Sequence, residues 1–472
     1  MDRIERDQIG EMPISSDELR GIHTLRAESN FRIAGRPASA RLFRAYGLVK
    51  KACAVTNKDL GFLDADLAAA ISTACDEVAS GAHDELFRVD ALQGGAGTST
   101  NMCANEVIAN RATQILASNY DGDQSPRCDP LAHVNLHQST NDTYPTALKV
   151  CLIGMLRETA AAAERLQGAL QGKEREFAGV VTVGRTELQN AVPMTLGAVF
   201  SGLAEAAGRD RWRTFKCEER LRQVNLGGTA VGTGLAAPRD FIFRATDALR
   251  SLTGYGLSRA ENLVDQTANG DSLAETAGIL SAMACDLEKI ANDLRLLARD
   301  GDILLPAVQA GSSIMPGKVN PVICEAVIQA GMKTRSLCAL AAETVARGSL
   351  QINEFLPLTA DSLIEALGIL TRGADTLAEH VKGIHADAES CKRRLDDDRM
   401  IVTAFLPILG YDGASALLER FDARADRSIN VRRFLESELG AEEVSRTLSP
   451  AALSSLGFSG HGPLPHVKGD TP

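Results

Sequence analysis

The sequence predicts an all-α fold organised around a long central helical bundle, and three observations carry that prediction. Over residues 271–300, Leu273, Ala277, Leu280, Ala284, Leu287, Ala291, Leu294 and Ala298 recur at strict 4-3 spacing. This is a heptad seam whose small residues let helices approach closely. Aromatic residues make up only 4% of a chain that is 44% hydrophobic. The interior must therefore be built from Ala, Leu, Val and Ile, which suits packed helices better than sheets. Finally, the strict polar–apolar alternation of a half-buried strand is scarce.

The 472 residues are too many for one simple core, so several domains or a long bundle with appendages are expected. Residues 1–138 read as a mixed, mostly helical domain, with short helical patterns broken by polar loops. The loop at 119–126 is rich in turn formers. It resembles a calcium loop only faintly, lacking the required glycine and the distal glutamate, and reads as a surface turn. Residues 139–390 read as the central domain of long helices, with patterns at 145–175, 194–224, 271–300, 322–347 and 359–385. On the 271–300 helix a second row, Met283, Leu287, Ile290, Leu294 and Leu297, widens the apolar face. That width calls for neighbours on more than one side. Residues 391–472 read as a small helical C-terminal domain with a flexible tail from 459.

Composition excludes several classes of function. A net charge of -11 argues against binding nucleic acid or an anionic membrane surface. The ten cysteines are scattered without a C-x-x-C pair, so neither a zinc framework nor a disulfide scaffold is expected. A reducing, cytoplasmic setting fits them. The N-terminus is charged and lacks the apolar stretch of a secretory signal, and no uncharged apolar run approaches the length of a membrane span.

Four segments are unlike helix filler: Gln93-Gly94-Gly95-Ala96-Gly97-Thr98-Ser99-Thr100-Asn101-Met102, His137-Gln138-Ser139-Thr140-Asn141-Asp142, Gly184-Arg185-Thr186-Glu187-Leu188-Gln189-Asn190-Ala191, and Gly311-Ser312-Ser313-Ile314-Met315-Pro316-Gly317-Lys318-Val319-Asn320-Pro321. Singly, the first three are as well explained by helix caps and turns. The fourth makes a poor helix and a poor strand, and a polar loop of that kind between long helices points to function. Together their hydroxyls, amides and single lysine suit a dicarboxylate. The glycine-rich segment lacks the spacing of a phosphate loop or a dinucleotide fingerprint. No metal cluster or cofactor-bearing lysine motif accompanies the four, so no metal and no cofactor are expected.

In this order and spacing the segments resemble the aspartase/fumarase superfamily, the fourth matching its signature loop. The likeness extends through Gly21-Ile22-His23-Thr24-Leu25-Arg26-Ala27 and Asn225-Leu226-Gly227-Gly228-Thr229-Ala230-Val231-Gly232-Thr233-Gly234. The first of these stretches, with Val192-Pro193-Met194-Thr195-Leu196-Gly197, is similar to the aspartate ammonia-lyase branch. The resemblance implies three helical domains and a homotetramer whose central helices form a shared bundle. It implies composite active sites, and elimination of ammonia from L-aspartate to give fumarate. Under it Ser312 is the catalytic base. Thr98, Ser139, Thr140 and Ser313 hold the side-chain carboxylate as it becomes an aci-carboxylate. Lys318 and Asn320 bind the α-carboxylate, and Asn141 and Thr186 contact the amino group.

Two departures from the pattern matter. Relatives carry His or Gln where this chain has Glu187, and fumarases use the histidine. Glu187 either meets a positive charge on the substrate amine or points away as a replacement for Gln. Near the C-terminus, Leu406-Pro407 stands where relatives have Asn-Pro, and Asp398-Arg399 where they have small polar residues. The alternatives are therefore a sibling lyase on a modified or N-substituted aspartate, a fumarase, and a catalytically silent structural tetramer.

Overall fold

The computed structural model describes residues 2–118 and 126–458. The turn at 119–125 and the tail from 459 lie outside the described residues. Helices dominate: Ile22–Asn30, Ala40–Asp59, Ala65–Ser80 and Thr98–Ala117 come first. Five long helices follow, Thr140–Glu176, Leu196–Leu221, Asp271–Asp300, Val322–Val345 and Leu356–Lys382, with Arg239–Thr253 and Leu263–Ala268 between them. Ala388–Asp397, Leu406–Asp422, Val431–Leu439, Ala441–Thr447 and Pro450–Leu453 close the chain. The all-α prediction holds, and the long helices fall where the periodicity put them. The boundary expected at 390 falls inside the helix Ala388–Asp397.

Among the described residues, strands form four two-stranded pairs. Asp2–Arg6 pairs antiparallel with Glu11–Ser15, from Asp2 opposite Ser15 to Arg6 opposite Glu11. Val181–Thr186 pairs antiparallel with Gln189–Thr195 in a tight hairpin whose register slips between Val183 and Arg185. Gln223–Val224 runs parallel to Ser258–Arg259, and Ile303–Leu304 antiparallel to His385–Ala386. The heptad seam is buried as its spacing requires: Leu273, Ala277, Leu280, Ala284, Leu287, Ala291 and Leu294 are each at most 2% exposed. Met283 and Ile290 of the second row are buried with them.

The chain packs as two compact units. The first comprises residues 1–160, 212–284 and 331–371. Its core includes Leu42, Phe43, Tyr46 and Val49 of one helix and Ile71, Cys75 and Val78 of the next. Phe43 stacks on Phe87 with ring centroids 3.8 Å apart. Glu106, buried in the helix Thr98–Ala117, accepts hydrogen bonds from the backbone N–H groups of Gly21, His23 and Thr24 and from the Thr24 hydroxyl. A carboxylate thus satisfies the open first turn of Ile22–Asn30, a cap supplied from a distant part of the chain.

The second unit comprises residues 161–211, 285–330 and 372–472. Its C-terminal part has its own apolar cluster of Val183, Leu395, Ile401, Val402, Phe405, Ala414, Leu417, Val431, Phe434, Leu435, Val444 and Leu448. The segment Arg399–Asp422 is long and apolar enough by composition to cross a membrane, although Asp412, Glu419 and Arg420 interrupt it, so it is not an uncharged run. Three features set it apart from a continuous span. It begins as a 3-10 turn, breaks at Gly410 (φ 65°, ψ 175°), and lays its apolar face into that cluster.

Nine of the ten cysteines are buried, Cys285 is exposed, and none is paired in a disulfide.

Candidate active site

In the first unit, two helix N-termini come together. Thr98 opens the helix Thr98–Ala117 after Gly97, whose φ of 91° is left-handed. A Cβ at Gly97 would lie 2.1 Å from the buried Tyr144 ring, so only glycine permits this approach. Tyr144 belongs to the first turns of Thr140–Glu176, and Thr143 of the same turn donates to the Asn101 side chain at 3.1 Å. The opening turns of the two helices are therefore packed against each other. The positive dipole ends of the two helices suit a carboxylate. Thr98 is exposed, with its hydroxyl donating to Gly95 O at 2.8 Å. The Ser139 hydroxyl accepts from Asn141 N at 3.3 Å, which leaves its proton to donate elsewhere. Thr140 is buried at the helix start, and Asn141 donates its side-chain amide to Ala230 O at 2.6 Å.

Beneath this loop lie two buried charges absent from the expected site. Asp142 is fully buried and accepts from the backbone N–H of Ser139, Gly227 and Thr229 at 3.0, 3.2 and 2.9 Å. It thereby ties the Asn225–Thr229 stretch to the Ser139–Asn141 turn. Burial pushes its carboxyl up to about 6, against those hydrogen bonds and the nearby Lys50 charge. Lys50 is fully buried and donates to Asn135 Oδ1 and Gln138 Oε1 at 3.0 and 2.9 Å. Burial holds its ammonium down to about 8. Asn135 Oδ1 also receives the amides of Asn101 and Asn105, so Lys50 supports both helix openings. A signal for Lys50 was present: it sits on the helix face of Phe43, Tyr46 and Cys53, where an unaccompanied charge is unusual.

In the second unit, Ser312 lies in the loop between Ile303–Leu304 and Val322–Val345. The loop is pinned at its neck, with Gly311 N donating to Lys318 O at 2.8 Å and the Asn320 amide donating to Gly311 O at 2.8 Å. A Cβ at Gly311 would lie 2.7 Å from Lys318 O, so this neck too requires glycine. Within it, Ser312 Oγ accepts from the backbone N–H of Ile314 and Met315 at 3.2 and 2.9 Å. Two donors on one hydroxyl oxygen favour its ionised form and lower the cost of using serine as a base. Ser313 and Lys318 are exposed beside it, as are the apolar Ile314, Met315 and Val319. Asn320, expected on the substrate, here spends one amide proton closing the loop.

Thr186 ends the first strand of the hairpin and is exposed. Glu187 and Leu188 form its two-residue turn with φ of 53° and 61°. Left-handed conformations at two successive non-glycine residues are costly, and strain of this kind gathers at functional positions. Glu187 also lines a cavity of about 700 Å³ with Arg185, Arg209, Lys289 and Asp300. The expected residues thus fall into two sets. Thr98, Ser139, Thr140 and Asn141 lie in the first unit, and Thr186, Glu187, Ser312, Ser313, Lys318 and Asn320 in the second.

Residues 10–335 match the lyase family, and the chain belongs to it, within the aspartase/fumarase superfamily. It is 38% identical to an aspartate ammonia-lyase from Bacillus sp, over 97% of this chain and 98% of that one. It is 35% identical to a fumarate hydratase class II from Bacillus subtilis, over 88% and 91%. Its structure is similar to that of a fumarate lyase:delta crystallin from Brucella melitensis, with a TM-score of 0.89 and 39% identity over 97% of this chain and 100% of that one.

Proposed function

We propose that the protein is an aspartate ammonia-lyase acting as a cytoplasmic homotetramer with composite active sites. The observation that carries this reading is Ser312 Oγ held under two backbone N–H groups in the GSSIMPGKVNP loop. Ser312 takes the proton from the carbon beside the side-chain carboxylate. The electron pair moves into that carboxylate as an aci-carboxylate, which Thr98, Ser139, Thr140 and Ser313 meet with hydrogen bonds. Donors aimed at developing charge are the usual source of large rate gains, each worth roughly 10²–10³ in rate. The pair then returns to form the carbon–carbon double bond as the carbon–nitrogen bond breaks, giving fumarate and ammonia. Lys318 and Asn320 hold the α-carboxylate, while Asn141 and Thr186 face the amine. The amine is an ammonium at neutral pH and leaves without a protein acid, whereas hydroxide requires one. Glu187 at the position of the fumarase histidine therefore favours an amine leaving group.

A second reading is favoured by Glu187 itself, a carboxylate presented on a strained turn, which suits an extra positive charge on an N-substituted aspartate. The test is a substrate panel of L-aspartate, N-substituted aspartates and malate, followed by fumarate formation. Fumarate from L-aspartate is expected. Its absence, with turnover of a substituted amine, would move the assignment to the sibling lyase. Fumarate hydration at a rate matching amination would make the protein a fumarase, and silence with every substrate would make it a structural or binding protein.

A further inference from the structure

Asp302 is 0% exposed and lies where three parts of the second unit converge. Its Oδ1 accepts from the Thr182 hydroxyl at 3.0 Å and from Arg394 Nη1 at 2.5 Å. Its Oδ2 lies 2.7 Å from Arg185 Nη1, and Arg185 also reaches Asp300 at 3.0 Å. Thr182 and Arg185 belong to the first hairpin strand, and the residues after Arg185 are Thr186 and the strained Glu187. Asp302's backbone carbonyl accepts from Asp387 N at 3.0 Å. The next residue, Ile303, pairs with Ala386 and begins the segment that leads into the Ser312 loop. Arg394 comes from the helix Ala388–Asp397 in the C-terminal part of the chain.

We infer that Asp302 is a positioning residue that sets the Glu187 hairpin and the root of the Ser312 loop from one point, and that Arg394 holds it there. A buried carboxylate held by two guanidinium groups and a hydroxyl has little freedom, because losing either guanidinium weakens the compensation of a charge that cannot reach water. The hairpin and the serine loop therefore share one anchor. A change in the C-terminal helix reaches both, although Arg394 touches neither Ser312 nor Glu187 in this account. The register slip between Val183 and Arg185 lies at the point where the strand meets the anchor, and such irregularities re-aim side chains. The assignment rests on the proposed lyase site for its catalytic consequence, but the coupling itself is a property of the fold.

The test uses the full-length protein with Arg394→Gln and Arg394→Lys, because the Arg394 side chain is 22% exposed and its replacement leaves the apolar core intact. Asp302→Asn joins them as the more severe change. Two readouts are taken: steady-state kinetics on the substrate the parent turns over, and backbone hydrogen exchange of peptides covering 181–195 and 305–321. Arg394→Gln should lower kcat by roughly 10- to 100-fold, the scale of a misplaced catalytic group. KM should change much less, exchange should rise in both peptides together, and Arg394→Lys should recover part of the loss. Parent-like kcat in Arg394→Gln, or exchange raised in the C-terminal helix while both peptides stay parent-like, would overturn the inference. Should Asp302→Asn fail to fold, the two Arg394 variants still decide it. Should the parent turn over no aspartate, the proposed function fails while the exchange comparison still tests the shared anchor.

Discussion

Replacing Gly97 with alanine puts the packing of the two helix openings to a quantitative test. Gly97 has a φ of 91°, and a Cβ there would lie 2.1 and 2.3 Å from two carbons of the Tyr144 ring. Tyr144 is 1% exposed and cannot swing into solvent. A left-handed conformation costs a residue with a Cβ about 1–2 kcal/mol. Forcing a methyl into a packed core costs about 1–3 kcal/mol more. Gly97→Ala should therefore destabilise the protein by about 2–5 kcal/mol, measured by denaturant unfolding at fixed protein concentration. Because Thr98 is the next residue, the surviving folded fraction should also lose about 100-fold in kcat/KM, the cost of displacing a positioned group by about 1 Å. Adding Tyr144→Ala to Gly97→Ala removes the ring that the methyl strikes, so the two changes should cost less together than their sum. A Gly97→Ala protein within about 0.5 kcal/mol of the parent, the range of an ordinary surface substitution, would refute the close-approach argument.

Two further predictions concern charge and strain. Asp142 has its carboxyl raised from 3.8 to about 6 by burial, so between those values the folded chain holds a proton that the unfolded chain has lost. The stability that proton linkage supplies is fully present below pH 3.8 and is lost as pH rises through about 6. Relative to Asp142→Asn, which does not titrate, the parent should lose about 2 kcal/mol between pH 4 and 7; a pH-independent difference between the two would contradict the assignment. Leu188 is 63% exposed with φ of 61°, so Leu188→Gly relieves backbone strain without removing core contacts. It should raise stability by about 1 kcal/mol, seen as a higher denaturant midpoint, and a lower midpoint would show that the turn is not strained.

The long helices were legible because their apolar residues recur with helical period, and burial of the Leu273–Leu294 seam follows from that spacing alone. The four polar segments were legible because their composition fits neither helix nor strand. Other features depend on pairings across the chain that spacing does not encode. Glu106 caps a helix that begins at Ile22, and nothing local to either residue announces it. The 181–195 hairpin was hidden because its turn is Glu187-Leu188 rather than the Asn-Gly or Asp-Gly that signals such turns. Lys50 and Asp142 escaped for opposite reasons. Lysine in a helix reads as solvated surface, while Asp142 sat inside a recognised segment but holds backbone in place beneath it.

The most direct test of Ser312 as the base is the release of fumarate from L-aspartate, followed by the ultraviolet absorbance of its conjugated diacid, for the parent and for Ser312→Ala. The Ser312 hydroxyl lies on a partly exposed loop and accepts two backbone bonds, so its removal should leave the fold intact. Fumarate from the parent, with none above background from a folded Ser312→Ala protein, is the predicted result. Fumarate release by Ser312→Ala at a rate close to the parent's would contradict the account, and the base would have to be sought elsewhere.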